Sequence, residues 1–134
     1  MRYMLDTNIC IYAIKNRPTS VLQALRVHEA AGIGISSITA AELHFGAQKS
    51  RSARNITALK QFLEPLEIAD VDLAVAQTYG ELRTTLEGKG TPIGPLDTLI
   101  AAHALTLKAT LVSNNTREFA RVSGLRLVNW VELP

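Results

Sequence analysis

Apolar residues in this chain fall into short clusters divided by polar punctuation, and their spacing alternates between two rhythms. Five clusters are brief and nearly continuous: "RYMLD", "GIGISS", "LEIADV", "TLVSN" and "LRLVNW". Such runs are the pattern of strands covered on both faces. Between them, apolar positions recur at helical intervals. "NICIYAIKN" follows the first cluster, and Pro18-Thr19-Ser20 opens a second helix through "VLQALRVHEAA". Gly32 is placed to end that helix in a left-handed cap. Further helices are expected in "ITAAELHFGAQ", from Ala53 to Leu63 with Pro65 just beyond, and along Val75, Tyr79, Leu82 and Leu86 before Gly88 and Gly90. The last two are "PLDTLIAAHALTLKA" and the short "TREFARV". Strands that alternate with helices require parallel pairing and crossovers, so the pattern predicts an α/β sandwich. No repeat, low-complexity tract or linker divides residues 1–134, and one domain is expected.

Composition supports this picture. Hydrophobic residues make up 47% and charged residues 19% of 134, enough to bury a core. The single cysteine, Cys10, sits in an apolar run and excludes an internal disulfide, as expected of a small buried residue in a reducing cytosol. The start of the chain has too few apolar residues before Asp6 for a signal peptide, and no apolar run nears the roughly 18 residues of a membrane span. A soluble, cytoplasmic protein is expected. Net charge is only +2, but no acid stands between Glu42 and Glu64, where Lys49, Arg51, Arg54 and Lys60 all fall. That stretch is either a solvated helix face or a patch facing phosphates.

Candidate chemistry gathers where strands end. Asp6 breaks the first apolar run, Glu42 follows "GISS" in what should be a helix's first turn, and Asp97 follows "PIGP" in another first turn. In parallel sheets, sites form beyond the carboxyl ends of the strands. Each acid also has a structural explanation. Asp6 can cap a helix, Glu42 stands at capping-box spacing from Thr39, and Asp97 suits a helix N-terminus. Together they are more telling. Two carboxylates about 4 Å apart repel by about 4 kcal/mol at a surface-like dielectric, so a converging set needs a cation or a retained proton. Oxygen donors without cysteine or paired histidines suit Mg²⁺ or Mn²⁺ and not zinc. Phosphodiester hydrolysis is the natural chemistry of such a site.

The ordered set "MLDTN", "SSITAAEL", "GTPIGPLDTLIAAHAL" and "LVSNNTREF" resembles a PIN-domain ribonuclease, and within it a VapC-type toxin of a bacterial toxin–antitoxin pair. The resemblance runs from Met4 to about Trp130 and implies a three-layer α/β/α sandwich on a mostly parallel sheet. It places the catalytic, metal-holding acids at Asp6, Glu42 and Asp97. Thr7 and Asn8 match the hydroxyl and amide after the first acid, and are expected either to orient ligand or water or to shape a turn. Ser37 and Thr39 match the polar pair before the second acid. Asn115 stands where many PIN domains carry a fourth acid, and Glu118, one helical turn on, is the candidate substitute. That departure favours one firmly held Mg²⁺ or Mn²⁺. The resemblance further implies an endoribonuclease acting on structured RNA such as tRNA, held inactive by a VapB-type antitoxin. A homodimer is implied too, with operator DNA contacted only through the antitoxin and no membrane partner.

Lys49, Arg51, Arg54 and Arg117 are the candidate phosphate contacts. His103 is expected in the core or at its edge, on a stripe with Leu96, Ile100 and Leu107, and Trp130 should pack the last strand against a helix. The competing function is a catalytically idle binding module with the same fold. A receiver domain would need a lysine at the end of a late strand, and a dinucleotide enzyme a Gly-x-Gly-x-x-Gly after the first strand; this chain has neither.

Overall fold

The computed structural model describes residues 1–132; the last two positions of the expected 1–134 domain lie outside the described residues. Its elements run β1 (Tyr3–Leu5), α1 (Thr7–Ile14), α2 (Thr19–His28), β2 (Ile33–Ser36), α3 (Ser37–Ser50) and α4 (Ala53–Leu63). They continue with β3 (Glu67–Ala69), α5 (Leu73–Gly88), α6 (Pro95–Leu107), β4 (Thr110–Val112), α7 (Thr116–Phe119) and β5 (Leu127–Val128). All five strand clusters read from the apolar pattern form strands, and they build one sheet in the order β3-β2-β1-β4-β5. Every pairing is parallel, with Met4 opposite Gly34 on one side and Leu111 on the other.

Alternation along the strands divides the core. Leu5 and Val112 point into a cluster with Ile9, Val21, Leu59 and Trp130. Their neighbours Met4 and Leu111 point to the opposite face, against Leu86, Ile100, Ala101 and Phe119. Both faces of the central strands are therefore covered by helices, which is why these strands read as continuous apolar runs. Gly34 is required by packing, since a Cβ there would lie 2.5 Å from the Glu67 carbonyl oxygen on β3.

The chain leaves β1 toward β2 and β3, then returns to pair β4 on the other side of β1. The carboxyl ends of β1 and β4 thus form a topological switch point, where a crevice opens. Asp6 follows one of these strands and Ser113 the other.

Three local expectations change. The second helix ends at His28 and continues as a 3₁₀ turn, Glu29–Ala31. Gly32 has φ +97° and ψ +112°, so it uses a glycine-favoured φ but lies outside the left-handed helical well. The helix after β2 begins at Ser37, which puts Glu42 in its second turn and not its first. No capping box forms there, because the cap is Ser36, whose side chain accepts from the Ile38 N–H at 3.1 Å. On α6, Ile100 and His103 are buried while Leu96 and Leu107 are exposed, so the expected stripe holds only at its centre.

Candidate active site

Four carboxylates from four elements share one electric field at the switch point. Asp6 is the N-cap of α1 and accepts from the Ile9 N–H at 3.0 Å. It is buried, and desolvation raises its pKa despite hydrogen bonds from Ser113 and Ile9 that favour the charge; Glu42 adds a further upward push. Glu42 projects from α3 and accepts a hydrogen bond from the Thr7 hydroxyl at 2.6 Å. Asp97, in the first turn of α6, is half-buried. Burial pushes its pKa to about 6, reinforced by the charges of Glu118, Glu42 and Asp6 in that order, and by a hydrogen bond shared with Glu118. A hydrogen bond between two carboxyl groups needs a proton on one of them. Below about pH 6 the edge relieves part of its repulsion by keeping that proton.

Glu118 is held in turn. The Asn115 amide donates to its Oε2 at 3.1 Å, and the Asn115 N–H is anchored on the Ser113 hydroxyl at 2.9 Å. A neutral amide at the expected fourth-acid position therefore steadies a carboxylate one turn away, and that carboxylate bears directly on Asp97. Ser113 was not singled out by motif reasoning. It is fully buried and bonds both Asp6 and Asn115. Its signal was positional: it is the first polar residue past the strand that pairs with β1.

The remaining candidates divide. Thr39 is buried on α3 with its hydroxyl oxygen unpartnered. Asn8 is exposed in the first turn of α1. Ser37 accepts from the Val71 N–H at 3.2 Å and pins the exit of β3. Lys49, Arg51, Arg54 and Arg117 are all exposed, with the Lys49 ammonium 5.8 Å from the Phe45 ring centroid. A groove of about 270 Å³ starts at Glu42 and runs between α1, α3 and α4. The cation lining it is Lys15, a residue the sequence reading passed over. Trp130 is not available to stack on a base. It is buried and stacks on His28, with ring centroids 5.1 Å apart and planes 7° from parallel. Cys10 is buried, and its thiol pKa is pushed well up by burial and by Asp6, so it stays protonated.

The donor set fits a hard divalent cation. All its groups are oxygen donors, and the surplus negative charge that lifts Asp97 is what such an ion would neutralise. Among the described residues, no three His, Cys, Asp or Glu side chains close on a single point. An open edge of this kind suits Mg²⁺, which keeps several waters and takes only one or two carboxylates. No described helix is long and apolar enough to cross a membrane.

Comparison with known proteins agrees with this geometry. The profile of the family described as "PIN domain" matches residues 3–125. The chain is 43% identical over 131 residues to the tRNA(fMet)-specific endonuclease VapC of Shigella flexneri, covering 97% of this chain and 98% of that one. It is 49% identical over 132 residues to Ribonuclease VapC2 of Rickettsia felis, with 97% and 98% covered. Among solved structures, VapBC2 from Rickettsia felis bound to a DNA fragment from its promoter superposes with a TM-score of 0.92 at 48% identity, over 97% of this chain and 99% of that one.

Proposed function

The chain belongs to the PIN-domain family, and on that premise we propose that it is a divalent-metal-dependent endoribonuclease toxin that cuts tRNA and is silenced by a VapB-type antitoxin. The observation that carries this reading is the gathering of Asp6, Glu42, Asp97 and Glu118 at the switch point, with Thr7 donating to Glu42 at 2.6 Å and Asn115 to Glu118 at 3.1 Å. The Asp97 carboxyl is driven to a pKa of about 6 by burial and by Glu118, Glu42 and Asp6. A binding module gains nothing from repulsion of that kind, whereas a phosphodiesterase needs it to retain its ion. Tests should begin with tRNA(fMet), the substrate named for the Shigella flexneri relative.

Asp6, Glu42 and Asp97 would hold the ion, with Glu118 beside Asp97. A bound Mg²⁺ or Mn²⁺ supplies charge neutralisation for the scissile phosphate and a water acidic enough to act as nucleophile near neutral pH. The chain's own groups prepare that chemistry. Thr7 fixes the Glu42 carboxylate through a short hydrogen bond. Ile9 and Ser113 donate to Asp6 and favour its charged form against its burial. Asn115 orients Glu118, which stands against Asp97. Lys15 in the groove at Glu42, and the exposed Lys49, Arg51, Arg54 and Arg117, supply positive charge for the RNA backbone. With water as nucleophile the products carry 5′-phosphate and 3′-hydroxyl ends.

Partner assignments follow the solved relatives, which are complexes of the VapBC type, one of them bound to promoter DNA. An antitoxin arginine placed against the four carboxylates would neutralise them as a metal does. Purified, antitoxin-free chain should cut tRNA(fMet) in Mg²⁺ or Mn²⁺ into discrete fragments that vanish with EDTA and with Asp6→Asn. Cleavage that persists in both controls, or fragments ending in 2′,3′-cyclic phosphate, would overturn the mechanism.

A further inference from the structure

We propose that His103 is a positioning residue for the acidic edge: its buried contact with Ser36 ties the helix carrying Asp97 to the helix carrying Glu42, and so sets the spacing at which the two can share one divalent ion. The inference rests on the proposed metal-binding role of those carboxylates.

The contact is internal and directional. His103 is 1% exposed and Ser36 fully buried, and Nδ1 lies 2.9 Å from the serine Oγ across 67 residues of sequence. Ser36 ends β2 and caps α3 by accepting the Ile38 N–H. Nδ1 and the Ser36 Oγ share one hydrogen bond whose donor follows the ring tautomer. Burial lowers the pKa of His103, against a weaker pull from Asp72 and Asp70, and so favours the uncharged ring.

Position makes the contact more than packing. Asp97 lies six positions before His103 on α6, and Glu42 lies six positions after Ser36. At about 1.5 Å rise per residue, each carboxylate stands about 9 Å along its helix from the tie. A slide or roll of either helix at the tie therefore moves its carboxylate by a comparable amount.

On its other side α6 is held along α5, where the Thr106 hydroxyl donates to the Thr78 hydroxyl at 3.1 Å. Toward α3 the buried stretch around His103 is mostly alanine, Ala101, Ala102 and Ala104, each fully buried. Alanines let elements approach closely but give shallow ridges, and ridges are what lock one helix against its neighbour. The His103–Ser36 hydrogen bond adds register between α6 and α3, as a buried polar residue does in a coiled coil.

The experiment is Mn²⁺ titration by calorimetry, with folding followed by circular dichroism. His103→Leu keeps the volume and removes the bond, Ser36→Ala removes the other partner, and His103→Asn restores a polar atom near Nδ1. Each of the first two should weaken Mn²⁺ binding by about tenfold or more, as loss of supporting partners does at metal sites. The double variant should be no weaker than the worse single, and His103→Asn should approach the parent. Val21→Ala, a core deletion on α2, should lower thermal stability and leave Mn²⁺ affinity unchanged. Parental affinity in His103→Leu, additive losses in the double variant, or an equal loss in Val21→Ala would overturn the tie. If His103→Leu does not fold, Ser36→Ala decides alone, and parental affinity there is the overturning result. Asp97→Asn separates the two readings: if it binds Mn²⁺ like the parent, the metal site itself is wrong; if it alone binds weakly, only the tie is.

Discussion

The Thr7 hydroxyl donates to Glu42 Oε1 at 2.6 Å, joining the first residue of α1 to the second turn of α3. Bonds from a hydroxyl to a carboxylate are short and strong, and this one restrains the Glu42 carboxylate. Thr7→Val keeps the shape and removes the donor. Cleavage should fall about 10- to 100-fold, while the melting temperature stays within a few degrees. A rate assay beside thermal unfolding checks both halves.

Asp97 gives the metal-free protein an unusual pH response. Its folded pKa, about 6, lies above the ordinary 3.8, so the folded state binds this proton more tightly than the unfolded chain. That contribution to stability is complete below about pH 4 and is lost as pH rises through 6. Urea unfolding in EDTA should show Asp97→Asn gaining stability over the parent between pH 4 and pH 7. A constant difference across that range would mean Asp97 titrates normally.

A divalent ion should reverse the penalty. At pH 7.5, Mn²⁺ at a hundred times its dissociation constant should stabilise the parent by about 2.7 kcal/mol, and EDTA should remove the effect. At pH 5 the same addition should do much less, because the proton between Asp97 and Glu118 competes for the site. Differential scanning fluorimetry across the two pH values reads this directly.

Glu118 and Asn115 form a testable pair. Glu118→Gln should slow cleavage, since it removes the charge that Asn115 orients toward Asp97. Adding Asn115→Asp to that variant returns a carboxylate to the neighbouring position and should recover much of the rate. If Glu118→Gln cleaves like the parent, Glu118 is a bystander.

Trp130 should matter to the fold and not to RNA. It is 1% exposed and packed on Tyr3 and His28, so Trp130→Ala should cost about 3–5 kcal/mol in chemical unfolding. Trp130→Phe, which keeps most of the apolar volume, should leave the KM for RNA unchanged.

Much of this protein was legible along the chain. Short apolar runs and helical spacings marked every strand and helix, because burial on both faces of a parallel sheet leaves a local signature in each run. Asp6, Glu42 and Asp97 stood out for a related reason: Asp6 breaks off an apolar strand, and Glu42 and Asp97 stand near the starts of helices. Local rules failed where two neighbours competed for one role. Ser36, rather than a Thr39–Glu42 box, caps α3, so Glu42 is released to reach Thr7.

Other features needed the third dimension. Ser113 beside Asp6 and His103 beside Ser36 are contacts between residues far apart in the chain, and Lys15 and Glu42 come to line one groove. No periodicity within one segment can encode such contacts, since they depend on which strand lies next to which. The order β3-β2-β1-β4-β5 brings the ends of β1 and β4 together. That adjacency turns separate acids into one field and gives Asp97 a pKa its own helix could not produce. By itself the sequence determined the elements and the kinds of chemistry available; tertiary structure decided which groups feel one another, because electrostatic and hydrogen-bond energies depend on distance in space.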